Sequence, residues 1–458
     1  MEVTGSCHLL DCGGQKILLD CGMHQGGDAV RRLNKEKFGF KPVRIDAVIL
    51  SHAHLDHSGL LPRLVRAGFK GPIYCTAATR NLLAIMLEDA ANIYFRDLEE
   101  INKRRKRKGQ REEKAQYAWR DVVRALEQCR PLEYDLWHEL DGDIRVKMED
   151  AGHILGSAVV NLDLPADEYG KAHQLVYSGD LGNADTVMLR RPAVPEHADT
   201  VLMESTYGNR DHRSLRDTLI ELQEIIDRAE DEDGCVLMPA FAVGRTQELL
   251  FHLGVMYHQG HLQGWRVYLD SPMAIEVTRV YDQWFDAMAK QDQQVLDHYD
   301  ARSLEQFLPI LTLTPSVEES MQINRLKNRV IVIAGSGMCT GGRIHHHFKH
   351  RIWRENTHIV FAGFQARNTP GRRLVDGART LRMFGDDFAV KAQVHTLGGF
   401  SAHASRSDLL AWAASIGGHP KFRLVHGEPE ALEVMRDTLA ENDLPVTIAR
   451  AGETVDLE

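Results

Sequence analysis

Short apolar runs that break off into acidic or histidine-bearing turns recur along the chain, and they constrain its fold more than any other feature. Ile17-Leu18-Leu19 runs into Asp20, Ala47-Val48-Ile49-Leu50 into Ser51-His52, and Leu175-Val176-Tyr177-Ser178 into Gly179-Asp180. Ile144-Arg145-Val146-Lys147-Met148 precedes Gly152-His153, Val201-Leu202-Met203 precedes Glu204, and Phe422-Arg423-Leu424-Val425 ends at His426. Such runs are too short for helices and read as buried strands whose ends carry chemistry. Between them, 59–67, 214–230, 244–257 and 428–441 space their apolar residues as helices do, which makes the class α/β. From about residue 209 the alternation is that of a doubly wound domain. Val236-Leu237-Met238, Val267-Tyr268-Leu269 and Val330-Ile331-Val332-Ile333 are its expected parallel strands.

At 458 residues, of which 43% are hydrophobic and 26% charged, the chain is globular and long enough for two or three domains. No stretch approaches the roughly 18 apolar residues that span a bilayer. Met1-Glu2-Val3-Thr4-Gly5 has neither the basic nor the apolar region of a signal peptide. The seven cysteines are scattered, with no Cys-x-x-Cys pair, so neither a disulfide framework nor a thiolate zinc site is expected. A reducing cytoplasm fits that usage. The net charge of −10 excludes a protein basic all over. Lys103-Arg104-Arg105-Lys106-Arg107-Lys108 is the local exception. Helices are expected on either side, at 80–101 and 112–128, so this run should cap or join them. It reads either as a solvated basic turn or as a patch that attracts phosphate.

The densest chemistry lies in Ser51-His52-Ala53-His54-Leu55-Asp56-His57-Ser58-Gly59. Imidazole nitrogen and carboxylate oxygen suit zinc or a similar divalent cation. A His-x-His pair on a tight loop can aim two rings at one ion, and the following Asp-His pair can aim at a second. Taken alone, clustered histidines are more often surface groups. Further donors, however, wait at other strand ends: His153, Asp180 and His426, each close to a glycine that lets backbone crowd a site.

Asp20, the His52-x-His54-x-Asp56-His57 loop, His153 and Asp180 resemble, in order, the four motifs of the metallo-β-lactamase superfamily. Glu204-Ser205-Thr206-Tyr207-Gly208, Gly399-Phe400-Ser401-Ala402-His403 and Val425-His426-Gly427 resemble the three added motifs of its β-CASP branch of nucleases. The likeness spans nearly the whole chain and is nearest to compact bacterial and archaeal members. It implies an αββα sandwich, formed by 1–208 and 394–458, with an inserted β-CASP α/β domain at 209–393. It also implies two Zn2+ per chain. His52, His54 and His153 would hold one, and Asp56, His57 and His426 the other. Asp180 would bridge them, and Asp20 would orient the loop. Relatives begin with a strand and glycine-rich turn ahead of the segment matching Val3-Thr4-Gly5-Ser6. A first strand missing here would leave a sheet edge exposed.

The resemblance further implies hydrolysis of RNA phosphodiester bonds, endonucleolytic or 5′–3′ exonucleolytic, on a single-stranded substrate, and it admits a homodimer. Two cations would convert water to hydroxide and neutralise the phosphate. Asp56 would accept a hydrogen bond from the nucleophile. His403 would protonate the leaving ribose oxygen, with Glu204 keeping its ring charged and oriented. Without the resemblance His403 reads as a helix-start histidine beside Ser401 and Ser405. Ser336, Thr340 and Arg343, in a glycine-rich turn before a helix, and Arg245, opening another, are candidate RNA-phosphate contacts. His345-His346-His347 lies on adjacent helical positions that diverge, so it is expected on a helix surface near RNA rather than around a metal. Rival readings are a thioester or lactone hydrolase on the same sandwich, a DNA nuclease of the branch in which valine stands at the His426 position, and a non-enzymatic scaffold. The filled ligand positions oppose the scaffold.

Overall fold

The computed structural model describes residues 5–24, 33–166 and 172–457; Val3 and Thr4 lie outside them. The chain divides into two units. One comprises Met1–Ala184, Arg191–Asp211 and His403–Glu458, the other Asp185–Arg190 and His212–Ala402.

The first unit is built on two sheets. One runs His8–Cys12, Gln15–Leu19, Ala47–Ile49, Ile73–Thr76, Cys129–Leu132, with its first pair antiparallel and the rest parallel. The other runs Val446–Ile448, Lys421–Leu424, Thr200–Met203, His173–Tyr177, Ala158–Leu164, Ile144–Asp150, Trp137–Leu140. Alternation in these strands divides their side chains between two cores. Ala158, Val160, Leu162, Leu175 and Tyr177 pack with Leu10, Ile17, Leu19 and Ile49 of the first sheet. Val159, Val176, Val201, Met203, Phe422 and Leu424 face the other way, onto Leu409, Trp412, Leu432, Met435 and Leu439 of the helices Arg406–Ala414 and Pro429–Glu441. Helices Leu61–Arg66, Ala77–Arg107 and Trp119–Glu127 pack on one another and on the first sheet, which makes the layers αββα. The His8–Cys12 strand forms an edge of its sheet.

The expected helix at 80–101 is longer, and that at 112–128 shorter, than the sequence suggests. Ala77–Arg107 is one helix of 31 residues that carries Lys103–Arg107 to its C-terminus. Cations there complement the partial negative charge of the last carbonyls, so the dipole tolerates the run inside the helix even though its like charges one turn apart oppose it. Residues 112–118 run back along it, non-helical. Glu113 and Asn102 exchange two hydrogen bonds, and the Gln116 amide donates to the Tyr94 hydroxyl at 2.7 Å.

The second unit has the expected doubly wound sheet, all parallel, in the order Leu311–Leu313, Arg266–Asp270, Val330–Ala334, Cys235–Pro239, Thr357–Phe361, Gln393–Thr396. Buried on both faces, its central strands Cys235–Pro239 and Val330–Ala334 are unbroken apolar runs. Among the described residues, no helix is long and apolar enough to cross a membrane.

A single carboxylate organises the strand ends of this unit. Asp270, fully buried, accepts from Thr314 Oγ1 (2.8 Å), Ser320 Oγ (2.7 Å), the Arg343 guanidinium (2.7 Å) and His347 Nε2 (2.6 Å). Burial alone would raise its pKa; the hydrogen bonds from His347, Ser320 and Arg343 outweigh it and hold it at about 2. A folded-state pKa below the unfolded one stabilises the unit above about pH 4, and that contribution is lost as pH falls towards about 2. Asp270→Ala strands a half-buried guanidinium and a buried imidazole. It should cost about 3 kcal/mol of stability, measured by urea unfolding, and should flatten the acid limb of stability against pH.

Candidate metal centre

The chain meets itself at the C-terminal ends of the central strands of the first unit, and the expected ligands are all there. After Ala47–Ile49 the backbone enters the turn that carries His52 and His54, then a single helical turn, Leu55–Ser58, that carries Asp56 and His57. Asp20 holds this loop from beneath. It takes the Ser51 amide on Oδ1 at 2.7 Å, and on Oδ2 the Ser51 hydroxyl (2.7 Å), the Tyr177 hydroxyl (2.7 Å) and His57 Nδ1 (2.6 Å). His52 Nδ1 in turn lies 3.0 Å from Ser51 Oγ. With both Nδ1 atoms engaged, the lone pairs of Nε2 point into the site, which is the arrangement that ligand histidines need.

Two close backbone passages fix the remaining donors. A Cβ on Gly182 would stand 1.9 Å from the Gly152 carbonyl, so the Asp180 turn and the His153 turn approach as only glycine allows. A Cβ on Gly22 would fall 1.5 Å from the Asp56 carbonyl, where Ser6, Cys21 and Met23 also hydrogen-bond the loop. His426 follows the Lys421–Leu424 strand, and its Nδ1 is 2.7 Å from Ser6 Oγ.

The donors form two sets. His54 Nδ1 is 3.1 Å from both His52 Nε2 and His153 Nε2, and those two are 3.6 and 3.7 Å from Asp180 Oδ2. Across the carboxylate, Asp180 Oδ1 is 3.2 Å from His57 Nε2 and 3.7 Å from His426 Nε2, which is 4.0 Å from Asp56. A tetrahedral ion with bonds of about 2.0–2.1 Å separates its ligands by roughly 3.3 Å, so both sets have the size of a cation site. His57 Nε2 and Asp180 Oδ1 are buried and face each other at 3.2 Å, with no other hydrogen-bond partner; burial pulls the His57 pKa down, but Asp180 and then Asp20 outweigh it and push it well above the usual histidine range. An imidazolium proton held there between ring and carboxylate, with no other partner for either atom, marks a place that a divalent cation could take by displacing the proton. Burial, then their charged neighbours, keeps the His52 and His54 pKa values far below the usual histidine range, so both stay neutral and competent as ligands. Burial would raise the Asp180 pKa, but His57, His426 and His52 outweigh it and hold the carboxyl well below its ordinary range.

A third set adjoins these. Glu204, buried, takes the Leu181 amide at 2.7 Å and the Thr206 amide at 3.1 Å, and lies 3.2 Å from His403 Nδ1. His403 is 22% exposed, its Nδ1 3.9 Å from Asp180 Oδ2 and its ring 4.4 Å from that of His153. Burial pulls its pKa down, yet Glu204, then Asp180 and Asp56, raise it to about 9. The predicted sites therefore converge on one wall. Ser6, Ser51 and Tyr177, which steer the ligands, were not anticipated; Ser51 stands beside His52 in sequence, but nothing in the chain marks Ser6 or Tyr177.

The four expected phosphate contacts lie in the second unit and fare unequally. Arg343 is bound to Asp270 and to the carbonyls of Thr314 and Pro315, and so builds the loop rather than offering a cation. Arg245 is 8% exposed, paired with Glu248 and stacked over Phe400. Both guanidiniums thus have a carboxylate partner already in place, which helix-start position alone does not reveal. Ser336 and Thr340 hydroxyls stand 3.2 Å apart, with Thr340 exposed. The three adjacent histidines do diverge: His345 faces the Cys339 carbonyl, His346 the Phe384 ring, and His347 is buried on Asp270 instead of lying on the surface.

In chelator-stripped protein the His403 ring should titrate near 9 by NMR. Glu204→Gln should lower that value by about 1–3 pH units, because the nearest opposite charge is gone while burial remains.

Three family models match the chain in succession: the metallo-beta-lactamase superfamily over residues 2–225, the Beta-Casp domain over 246–374, and a Zn-dependent metallo-hydrolase RNA specificity domain over 387–449. The chain is similar to Ribonuclease TTHA0252 of Thermus thermophilus, 41% identical over 456 residues that cover 99% of this chain and 97% of that one. It is also similar to the transcription termination factor FttA of Methanocaldococcus jannaschii (30% over 450 residues, 96% of this chain) and of Pyrococcus abyssi (33% over 449 residues, 94% of this chain). It spans 67% and 65% of those longer proteins. Fold, motif order and likeness over the full length agree: the chain belongs to the metallo-beta-lactamase superfamily, in its β-CASP branch.

Proposed function

We propose that this chain is a zinc-dependent ribonuclease that hydrolyses phosphodiester bonds of single-stranded RNA. The observation that carries the reading is the division of the Asp180 carboxylate, with one oxygen toward each donor set. Two zinc ions, one on His52, His54 and His153, the other on Asp56, His57 and His426, with Asp180 across both, would supply hydroxide at neutral pH and Lewis acidity toward a phosphate. Asp56 accepts a hydrogen bond from the attacking water and so fixes its direction. His403, charged and within reach of solvent, gives its proton to the departing ribose oxygen. Glu204 holds that ring in place, and its own two backbone hydrogen bonds keep it from turning away. Ser336 and Thr340 contact the RNA backbone.

RNA is favoured over other esters by the similarity to a ribonuclease over nearly the whole chain and by the match to an RNA specificity domain at 387–449. By resemblance, the histidine at 426 favours RNA, since the DNA nucleases of the family carry valine at that position. We assign the metallo-β-lactamase domain to 1–208 with the chain from about 403 and the β-CASP domain to 209–402; the expected boundary at 394 would divide the strand Gln393–Thr396, which pairs within the second unit's sheet. Seven free thiols support a reducing, cytoplasmic setting.

End-labelled RNA bearing a 5′-triphosphate or a 5′-monophosphate tests the activity and its mode. Internal products from both mark an endonuclease, and mononucleotides from the monophosphate form alone mark a 5′–3′ exonuclease. His403→Ala should retain metal by elemental analysis and lose about 10²–10⁴ in initial rate. Asp180→Ala should lose both metal and cleavage. Undiminished cleavage by His403→Ala would remove it as the acid.

A further inference from the structure

The helix Ala77–Arg107 begins beside the metal centre. The hydroxyls of Thr76, its cap, and Thr79 both donate to the Gly156 carbonyl at 2.7 Å, in the loop that carries His153. Its 31 residues at about 1.5 Å each put the basic tip about 46 Å away along the axis.

Most of the charge there is uncompensated. Lys103 is neutralised by Glu99 (2.9 Å) and Glu100 (3.3 Å), and Arg105 Nε donates to the Arg111 carbonyl at 2.7 Å. Arg104, Lys106, Arg107 and Lys108 are exposed, and among the described residues no carboxylate pairs with them. Gly109, at φ +66°, turns the chain and brings the exposed Arg111 back to the tip. Helix stability does not account for this. The helix dipole rewards cations in the last turn, but Lys103 with Arg107 and Arg104 with Lys108 are like-charge neighbours one turn apart, which oppose the helix. In a chain of net charge −10 the tip is a local reversal of the field.

The segment that returns along the helix carries an aromatic platform. Tyr117 stacks on Tyr94 at 4.8 Å, and Trp119, 42% exposed, lies 6.5 Å from Phe95. Phe95 is eight residues, about 12 Å, up the helix from Lys103. Cations that follow a backbone, together with an exposed aromatic ring, suit single-stranded nucleic acid. An RNA held at the metal centre presents its own flanking phosphates at high effective concentration.

We propose that Arg104, Lys106, Arg107, Lys108, Arg111 and Trp119 form a second RNA-binding surface, remote from the reacting bond, that grips the substrate's flanking strand. The proposal rests on the ribonuclease reading above. It makes affinity depend on RNA length, because a stacked strand rising about 3.4 Å per nucleotide needs about 13 nucleotides to cover the distance.

The test is fluorescence anisotropy with 5- and 30-nucleotide single-stranded RNA over a range of KCl, in the His403→Ala background to prevent turnover. The variant carries Arg104→Gln, Lys106→Gln, Arg107→Gln and Lys108→Gln; glutamine keeps the helix propensity. A control removes four exposed cations elsewhere, Lys41, Arg44, Arg66 and Lys70, also to glutamine. For the 30-mer, the slope of log K against log[salt] should shrink by up to about 3, at about 0.7 per phosphate contact. Affinity should fall at least about tenfold in low salt, while the 5-mer and the control keep the parent's behaviour. An unchanged 30-mer slope, an equal loss on the 5-mer, or an equal loss in the control overturns this surface while leaving cleavage by the parent intact. Loss of binding to phosphatidylserine vesicles with RNA binding preserved reassigns the patch to a membrane and overturns it too. A parent protein that neither binds nor cuts RNA overturns this inference and the ribonuclease reading together.

Discussion

The Asp180 carboxylate is the constraint on which the first unit depends. It is buried among His52, His57, His153 and His426, and each of its oxygens faces a different group of nitrogens. An anion so placed is costly to fold around unless positive charge joins it, and the His57 ring, 3.2 Å from one of its oxygens and pushed toward its charged form, is the group that does so. The surroundings follow from that demand. Asp20 fixes the rings that point at Asp180, the contact between Gly182 and Gly152 brings the His153 turn up to it, and the ends of separate strands deliver the rest.

The third set, Glu204 with His403, shares the same wall but has a different character. Its imidazole is partly exposed and pushed toward the charged form, whereas His52 and His54 are driven to the neutral form. His57 is also pushed toward the charged form, by Asp180 and Asp20, so burial and exposure rather than protonation alone set His403 apart: it is the partly exposed ring, and His57 is fully buried.

Much of this was legible in the sequence, because strand ends in an α/β fold are where chemistry collects, and histidine or aspartate directly after an apolar run is conspicuous. The cluster of His52, His54, Asp56 and His57 follows such a run; His153, Asp180 and His426, each an ordinary turn residue taken singly, joined it through the resemblance to the metallo-β-lactamase and β-CASP motifs. What failed to show was partnership across long chain separations. Arg343 looked like a free cation at a helix start because Asp270, 73 positions earlier, carries no local sign of being its partner. Tyr177 read as one more apolar strand residue, although its hydroxyl reaches Asp20 over 157 positions. The basic run read as a break between helices because six cations resemble a solvated turn, whereas the helix dipole tolerates them at a C-terminus.

The most direct measurement is anomalous diffraction at the zinc absorption edge from crystals grown with zinc supplied. The account predicts two peaks, one on each side of Asp180, the first among His52, His54 and His153 and the second among Asp56, His57 and His426. No peak beside Asp180, or a single peak held by only one of the two sets, would contradict it.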